Sequence, residues 1–235
     1  MAVVTISGQI GSAAREVGRA TAQRLQIDYV DQEILVEAAR ELGVPMESVV
    51  SHDERTAGMG ERLANMFRRF MERSAAAGTG DPLWGTAGLD LVLSRTYGEA
   101  AEGEGLPEVS DERYIETLTA IVKGIAKQDN VLIIGRGSQV ILKDWPGAVH
   151  LLLTAPLDSR IAFIVQRDGV SQEDASKRIH EGDKGRFSFH QKFFKVNADD
   201  PSLYNLAVNT GRYSIDDAAD LIAAAVQRVT AKAQA

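Results

Sequence analysis

The chain has 235 residues, 44% of them hydrophobic, which suits one α/β domain of good size carrying a helical insert and does not suit a disordered protein. A net charge of −7 argues against a general nucleic-acid binder or a protein adsorbed on anionic membranes, although a small anionic ligand needs only a few local arginines. The chain has no cysteine, which removes disulfides and thiolate metal sites and agrees with a reducing compartment. No apolar run approaches the length of a membrane span, and the N-terminus enters a strand with no leader pattern, so a cytoplasmic protein is expected.

Residues 2–7 form a continuous apolar run that breaks at Gly8 and Gly11. A helical pattern follows at once, over about residues 13–25, with Val17, Ala20, Thr21 and Leu25 on one face. In such a strand, turn and helix, backbone N–H groups and the positive end of the helix dipole can hold an anion. Measured from Gly8 against the signature G-x-x-x-x-G-K-[ST], the second glycine is Ala13, the lysine Ala14 and the hydroxyl Arg15. Arg15 comes one step late for the lysine but is long enough to turn back over the loop. An ordinary turn with no ligand is the other reading.

Residues 27–31 make a second short strand and complete a βαβ unit. Asp31 closes it, where open α/β sheets bind ligands and where it can equally cap a helix starting at residue 32. Residues 32–114 read as interrupted helices. Ile34, Leu35, Ala38, Ala39 and Leu42 share one stripe, and Leu63, Met66, Phe67, Phe70 and Met71 share another. The second stripe is a packed helix, a candidate homodimer contact, or a basic wall over a phosphate. Residues 74–82 and 99–108 read as loops, with Trp84 between them as a packing anchor.

A further helix carries Ile115, Leu118, Ile121, Val122 and Ile125. Residues 131–134 and 148–153 are the third and fourth strands; His150 reads as a core or edge histidine. A helix after Pro156 carries Arg160 and Arg167, and another begins near Ser171. Residues 183–195 are basic and aromatic without strand alternation, residues 206–210 form a fifth strand, and Ser214 opens a final helix. Strands separated by helices predict a three-layer α/β/α fold with a mostly parallel five-stranded sheet. Arg15, Arg136, Arg160, Arg167, Arg178, Lys184 and Arg186 all follow the loop, strand 3 or strand 4, a concentration suited to phosphate oxygens. Lys177 and Arg178 read equally as solvated helix residues.

Several segments together carry a resemblance. Ile6-Ser7-Gly8-Gln9-Ile10-Gly11-Ser12-Ala13-Ala14-Arg15-Glu16-Val17-Gly18 is similar to the pattern I-S-R-x-x-G-S-G-G-R-E-I-G of the cytidylate-kinase-like family, a branch of the nucleoside monophosphate kinases within the P-loop kinase fold. Tyr29-Val30-Asp31-Gln32-Glu33-Ile34-Leu35 resembles its Y-x-D-K-E-I-L, and Asp183-Lys184-Gly185-Arg186 its D-K-x-R. Asp200-Pro201-Ser202-Leu203-Tyr204-Asn205-Leu206 and Val208-Asn209-Thr210 resemble D-P-x-x-Y-D-L and I-N-T. Ile134-Gly135-Arg136-Gly137 resembles the strand end where these kinases hold the monophosphate.

The resemblance implies ATP- and Mg²⁺-dependent phosphoryl transfer to a nucleoside monophosphate, CMP first, with nucleotides and not nucleic-acid polymers or membranes as partners. Gly8, Gly11, Ser12, Ala13, Ala14 and Arg15 would line the donor site; Asp31 and Arg136 would hold the acceptor. Arg15, Arg160, Arg167, Lys184 and Arg186 would act on the transferring group. Metal ligands are not named by the motifs. The core would comprise residues 1–31, 115–167 and 201–235, with an acceptor-binding insert at 32–114 and a mobile lid at 168–200.

Two departures bear on activity. Gly8 replaces the family's arginine, and Ala13-Ala14 replaces its double glycine. A β-carbon on a residue that needs positive φ costs about 1–3 kcal/mol and limits the approach of phosphate to backbone. A nucleotide-binding regulatory protein without catalysis is therefore the alternative.

Overall fold

The structure, a computed structural model, describes residues 2–31, 97–98 and 111–233. The helices expected over 34–42 and 61–73, the loops at 74–82 and 99–108, Trp84 and the candidate dimer stripe lie outside the described residues. In chain order the described elements are β1 (Val3–Gly8), α1 (Ala14–Leu25), β2 (Asp28–Val30), α2 (Asp111–Ala126), β3 (Val131–Ile134) and α3 (Ser138–Ile141). There follow β4 (Ala148–Thr154), α4 (Leu157–Asp168), α5 (Gln172–Phe194), β5 (Leu206–Asn209) and α6 (Ile215–Ala233). The strands pair in the order β2-β3-β1-β4-β5, and every pairing is parallel, where the sequence predicted only a mostly parallel sheet.

Alternation along the strands separates two cores. Val3, Val131 and Ile133 face one side, packed against Tyr114, Leu118, Ile121, Val122 and Ile125 of α2 and Phe189 of α5. Val4, Ile6, Leu132, Val149, Leu151 and Leu153 face the other, against Val17 of α1 and Ala218, Ile222 and Val226 of α6. Both faces are covered, which is why these strands read as unbroken apolar runs. Two buried β1 residues on the α2 side are polar, and each meets a partner. Thr5 Oγ1 lies 2.8 Å from His150 Nδ1, and Ser7 Oγ accepts a hydrogen bond from Arg186 at 3.0 Å.

Helix starts follow local chemistry. Ser171 Oγ accepts from the Asp174 N–H at 3.0 Å, and Ser214 Oγ from the Asp217 N–H at 3.1 Å, capping α5 and α6. Arg24 of α1 binds Asp216 and Asp220 of α6, tying the two helices on the same face. Tyr114, assigned from sequence to the insert, is buried in the core, and α2 already begins at Asp111, so the core resumes earlier than expected. Among the described residues no helix is long and apolar enough to cross a membrane.

The segment expected to form the lid is helical over most of its length. Residues 172–194 are one continuous helix, and its second half is anchored: Arg186, Phe189 and His190 are buried. The aromatic residues that looked like part of a flap pack into the core, Phe189 edge-on to Tyr114 and Phe193 tilted beside it. Burying such rings stabilises by a few kcal/mol each.

Candidate functional site

β1 ends in a turn of five residues, and α1 opens immediately after it. Gly11 has φ 83° and Ala13 φ 54°, both left-handed, so the backbone turns sharply and α1 begins with no side-chain cap. Its first N–H groups therefore face the turn, the arrangement that favours an anion. The turn is fastened from outside. Ser12 N donates to Gln9 O at 3.0 Å, Gln9 N to Leu153 O at 3.1 Å, and Thr210 Oγ1 to Ser12 O at 2.9 Å. At Gly11 a Cβ would come within 3.0 Å of Arg160 Cβ, so glycine here lets α4 lie directly on the loop.

Arg160 lies directly on this turn. Its side chain is 10% exposed; one guanidinium nitrogen donates to Ile10 O at 3.2 Å and to Asp183 Oδ2 at 2.6 Å. Asp183 Oδ1 in turn accepts from the Ile10 N–H at 3.0 Å. Arg186, 3% exposed, donates to Asp199 Oδ1 at 2.6 Å, to Ala198 O at 3.0 Å and to Ser7 Oγ. Burial alone would raise the Asp199 carboxyl; the Arg186 charge and its hydrogen bond, with help from Gln9 and Arg160, bring it below the usual carboxylate range. The resemblance implies a place for Arg186 at the transferring group. In the structure its two terminal nitrogens bond groups at the end of β1 and before β5, while its buried Nε has no hydrogen-bond partner.

Lys184, one residue from Asp183, is exposed and has no partner among the described residues. Arg167 stands apart from Arg160: it binds Asp168 at 2.6 Å and Glu16 at 3.6 Å and lies over the Phe163 ring. Arg15 is half-buried, close enough to Tyr29 for its charge to be felt at the phenol. The Tyr29 hydroxyl is pushed well above its ordinary value, first by burial and then by the charge of Asp31, to which it donates at 3.0 Å. Asp31 is buried and faces Arg19 at 3.5 Å.

β1 and β3 are neighbours, with Ile6 opposite Ile134, and Gly135 N donates to Ile6 O at 2.8 Å. The loop and Arg136 therefore emerge side by side from the C-terminal ends of two neighbouring strands, about one strand spacing apart. Gly135, Arg136 and Gly137 all have positive φ, at 73°, 58° and 67°. Gly135 is pressed against Tyr97, and Gly137 against the Phe194 ring, so neither has room for a side chain. Tyr97 Oη accepts from the Arg136 N–H at 2.6 Å, and the buried guanidinium lies 5.9 Å from the Tyr97 ring centre. Arg136 is thus set in an aromatic seat, with its conformation imposed by two glycines.

A statistical model of the cytidylate kinase-like family matches residues 3–212. The chain belongs to the cytidylate kinase-like family. Among its relatives, the cytidylate kinase of Methanoregula boonei is 28% identical over 172 residues, covering 64% of this chain and 93% of its own. The cytidylate kinase of Methanopyrus kandleri is 30% identical over 139 residues, covering 59% of this chain and 63% of its own. A crystal structure of an uncharacterized protein from Eubacterium ventriosum aligns over 97% of this chain and 99% of its own, with a TM-score of 0.60 and 16% identity, a likeness of fold.

The residues expected at the donor (Gly8, Gly11, Ser12, Ala13, Ala14 and Arg15) run from the last residue of β1 through the turn into the start of α1, and Arg160 lies against Gly11. Arg136 and Asp31 stand at neighbouring strand ends. Arg15 occupies the hydroxyl position of the signature, and no group of three acidic or histidine residues among the described residues could hold a metal. Sequence reasoning did not find Gln9, Asp199, Tyr97 or the role of Asp183. Gln9 and Asp183 lie inside quoted motifs, whereas Tyr97 and Asp199 carry no local signal.

Proposed function

We propose that the protein binds ATP at the loop after β1 and transfers its γ-phosphoryl group to a nucleoside monophosphate held at Arg136, with CMP as the first acceptor to test. The observation that carries this reading is the side-by-side emergence of the loop and Arg136 from the C-terminal ends of two neighbouring strands, enforced by the Ile6–Ile134 pairing. Family membership and the archaeal cytidylate kinase relatives support it.

In this reading the N–H groups of the loop and of the first turn of α1 hold the donor phosphates, and Arg160 balances their charge. Arg136 fixes the acceptor phosphate, and Asp31 lies at the next strand end on the acceptor side. A phosphate oxygen of the acceptor attacks the γ-phosphorus, the bond to the β-phosphate oxygen breaks, and ADP leaves. Lys184, exposed beside Asp183 on α5, is assigned to meet charge on the moving group. Magnesium arrives with the nucleotide as part of the substrate. Arg167 has no assigned part, being held by Asp168 and Glu16.

A second reading, nucleotide binding without transfer, is favoured by one feature: Ala13 holds positive φ at a position where the loop needs close backbone approach. A coupled ADP-release assay with ATP, Mg²⁺ and a panel of nucleoside monophosphates separates the two. Turnover that depends on CMP or another monophosphate, and is lost in Arg136→Ala, supports transfer. Thermal stabilisation by ATP with no ADP formed supports binding alone.

A further inference from the structure

Helix α5 lies against the phosphate loop because residue 182 is glycine: a Cβ there would sit 2.6 Å from Ile10 Cγ1. That approach brings the next side chain, Asp183, onto the loop. One carboxylate oxygen accepts from the Ile10 N–H at 3.0 Å, and the other accepts from Arg160 at 2.6 Å. The same Arg160 nitrogen reaches Ile10 O at 3.2 Å, so peptide, carboxylate and guanidinium form a closed ring. A backbone N–H at a glycine turn and an arginine are the donors that would grip two oxygens of a phosphate. Here they grip an anion that the chain supplies itself.

Two other polar atoms of the loop region are buried and have no hydrogen-bond partner, Ser12 Oγ and Arg160 Nε. The loop is thus engaged at its Ile10 end and unsatisfied further along. The two members of the ion pair also differ in freedom. The Asp183 side chain is 31% exposed and that of Arg160 10%. The carboxylate has a way out to solvent, while the guanidinium is held in place.

We propose that Asp183 is an internal counter-ligand of the donor site. Its carboxylate occupies the Ile10 end of the loop in the empty protein and turns outward when a polyphosphate enters, releasing the Ile10 N–H and leaving Arg160 in place for the incoming phosphate. The proposal rests on the reading of the loop as a donor site. It makes donor affinity a competition, in which the negative charge of Asp183 both holds the empty loop closed and repels the ligand.

The test is calorimetric titration of the whole chain with tripolyphosphate and with ATP, in wild type, Asp183→Asn and Arg160→Ala. Asparagine keeps the size but not the charge. Asp183→Asn is expected to bind both ligands more tightly, by a factor on the order of ten, the size of one hydrogen bond to a charged group; Arg160→Ala is expected to bind weakest. Equal or weaker binding by Asp183→Asn, with wild type still binding, overturns the counter-ligand and leaves the donor site standing. If no protein binds either ligand, the donor-site reading falls and this proposal with it. A crystal structure of wild type with tripolyphosphate decides the matter without a variant. A phosphate oxygen on the Ile10 N–H, with Asp183 turned away, is the expected result; a ligand bound beside an unbroken Asp183–Ile10 contact overturns it.

Discussion

A side chain on Gly8 would place its Cβ 2.6 Å from the Cβ of Ala14 and 2.8 Å from Ser12 Oγ. The space between the end of β1 and the start of α1 holds one β-carbon, and here it belongs to residue 14. The family pattern has arginine at residue 8 and glycine at 14, so the two departures in this loop are one exchange. Gly8→Ala alone should lower stability by about 1–3 kcal/mol through overlap, and Ala14→Gly alone by about 0.5–1 kcal/mol. The double variant should be less destabilised than the sum, by about 1 kcal/mol or more. Urea denaturation of the four proteins measures the coupling; strict additivity would show the sites to be independent.

Arg186 and Lys184 are two residues apart yet should fail differently. Arg186 is buried, with Asp199, Ser7 and Ala198 as acceptors, so Arg186→Met should cost about 3 kcal/mol in unfolding free energy. Lys184 is exposed, and Lys184→Ala should change stability by less than about 0.5 kcal/mol. If Lys184 meets the transferring group, the same change should lower kcat by about 10²–10³. Thermal melts beside steady-state kinetics give both readouts. A Lys184→Ala enzyme with unchanged kcat would remove that residue from the proposed chemistry.

Gly137 has φ 67° and faces the Phe194 ring. Gly137→Ala should cost about 2–4 kcal/mol, combining left-handed strain with overlap. Because Gly137 follows Arg136, the variant should also raise KM for the monophosphate more than for ATP. A variant that melts normally and keeps its KM would mean that the aromatic seat does not position Arg136.

His190 should make stability depend on pH. Burial pushes its imidazole down to about 4, and the Arg186 charge adds to this. The Arg186 carbonyl, which accepts from Nδ1 at 2.8 Å, and Asp199 act the other way. Nε2 accepts from the Gln139 amide at 3.0 Å. The ordinary value in the unfolded chain is near 6.5, so between there and about 4 the unfolded chain binds more protons. Stability is whole above about pH 6.5 and falls as pH drops through this window, by up to about 3 kcal/mol. His150, also lowered by burial, adds to the fall with the same sign. Denaturation midpoints measured from pH 7 to pH 4 should slope less in His190→Gln, and an unchanged slope would exclude His190 as the main source.

Much of the fold was legible because strands buried on both faces are apolar over their whole length and stop at glycine or polar residues. Residues 131–134 were read with the bounds later found in β3, and the turn at 8–13 was read from its glycines. Arg136 is legible from its place at the end of the third strand and from the resemblance carried by residues 134–137. Basic and aromatic composition alone does not say which ring of residues 183–195 is buried; Phe187 is 52% exposed, and Phe189, two residues on, is in the core.

The sequence by itself determined the βαβ opening, the five strands, the glycine turns and the membership of Arg136 and the loop in one family pattern, all of which are local properties of spacing and residue type. Only the tertiary structure decided which charges meet. Ser7 and Arg186 lie 179 positions apart, and Ile10 and Asp183 lie 173 apart. No local propensity links such pairs. They meet because β1 lies in the middle of the sheet and Gly182 allows α5 to rest on the loop, so that one arginine becomes a buried prop and one aspartate becomes a ligand for the backbone.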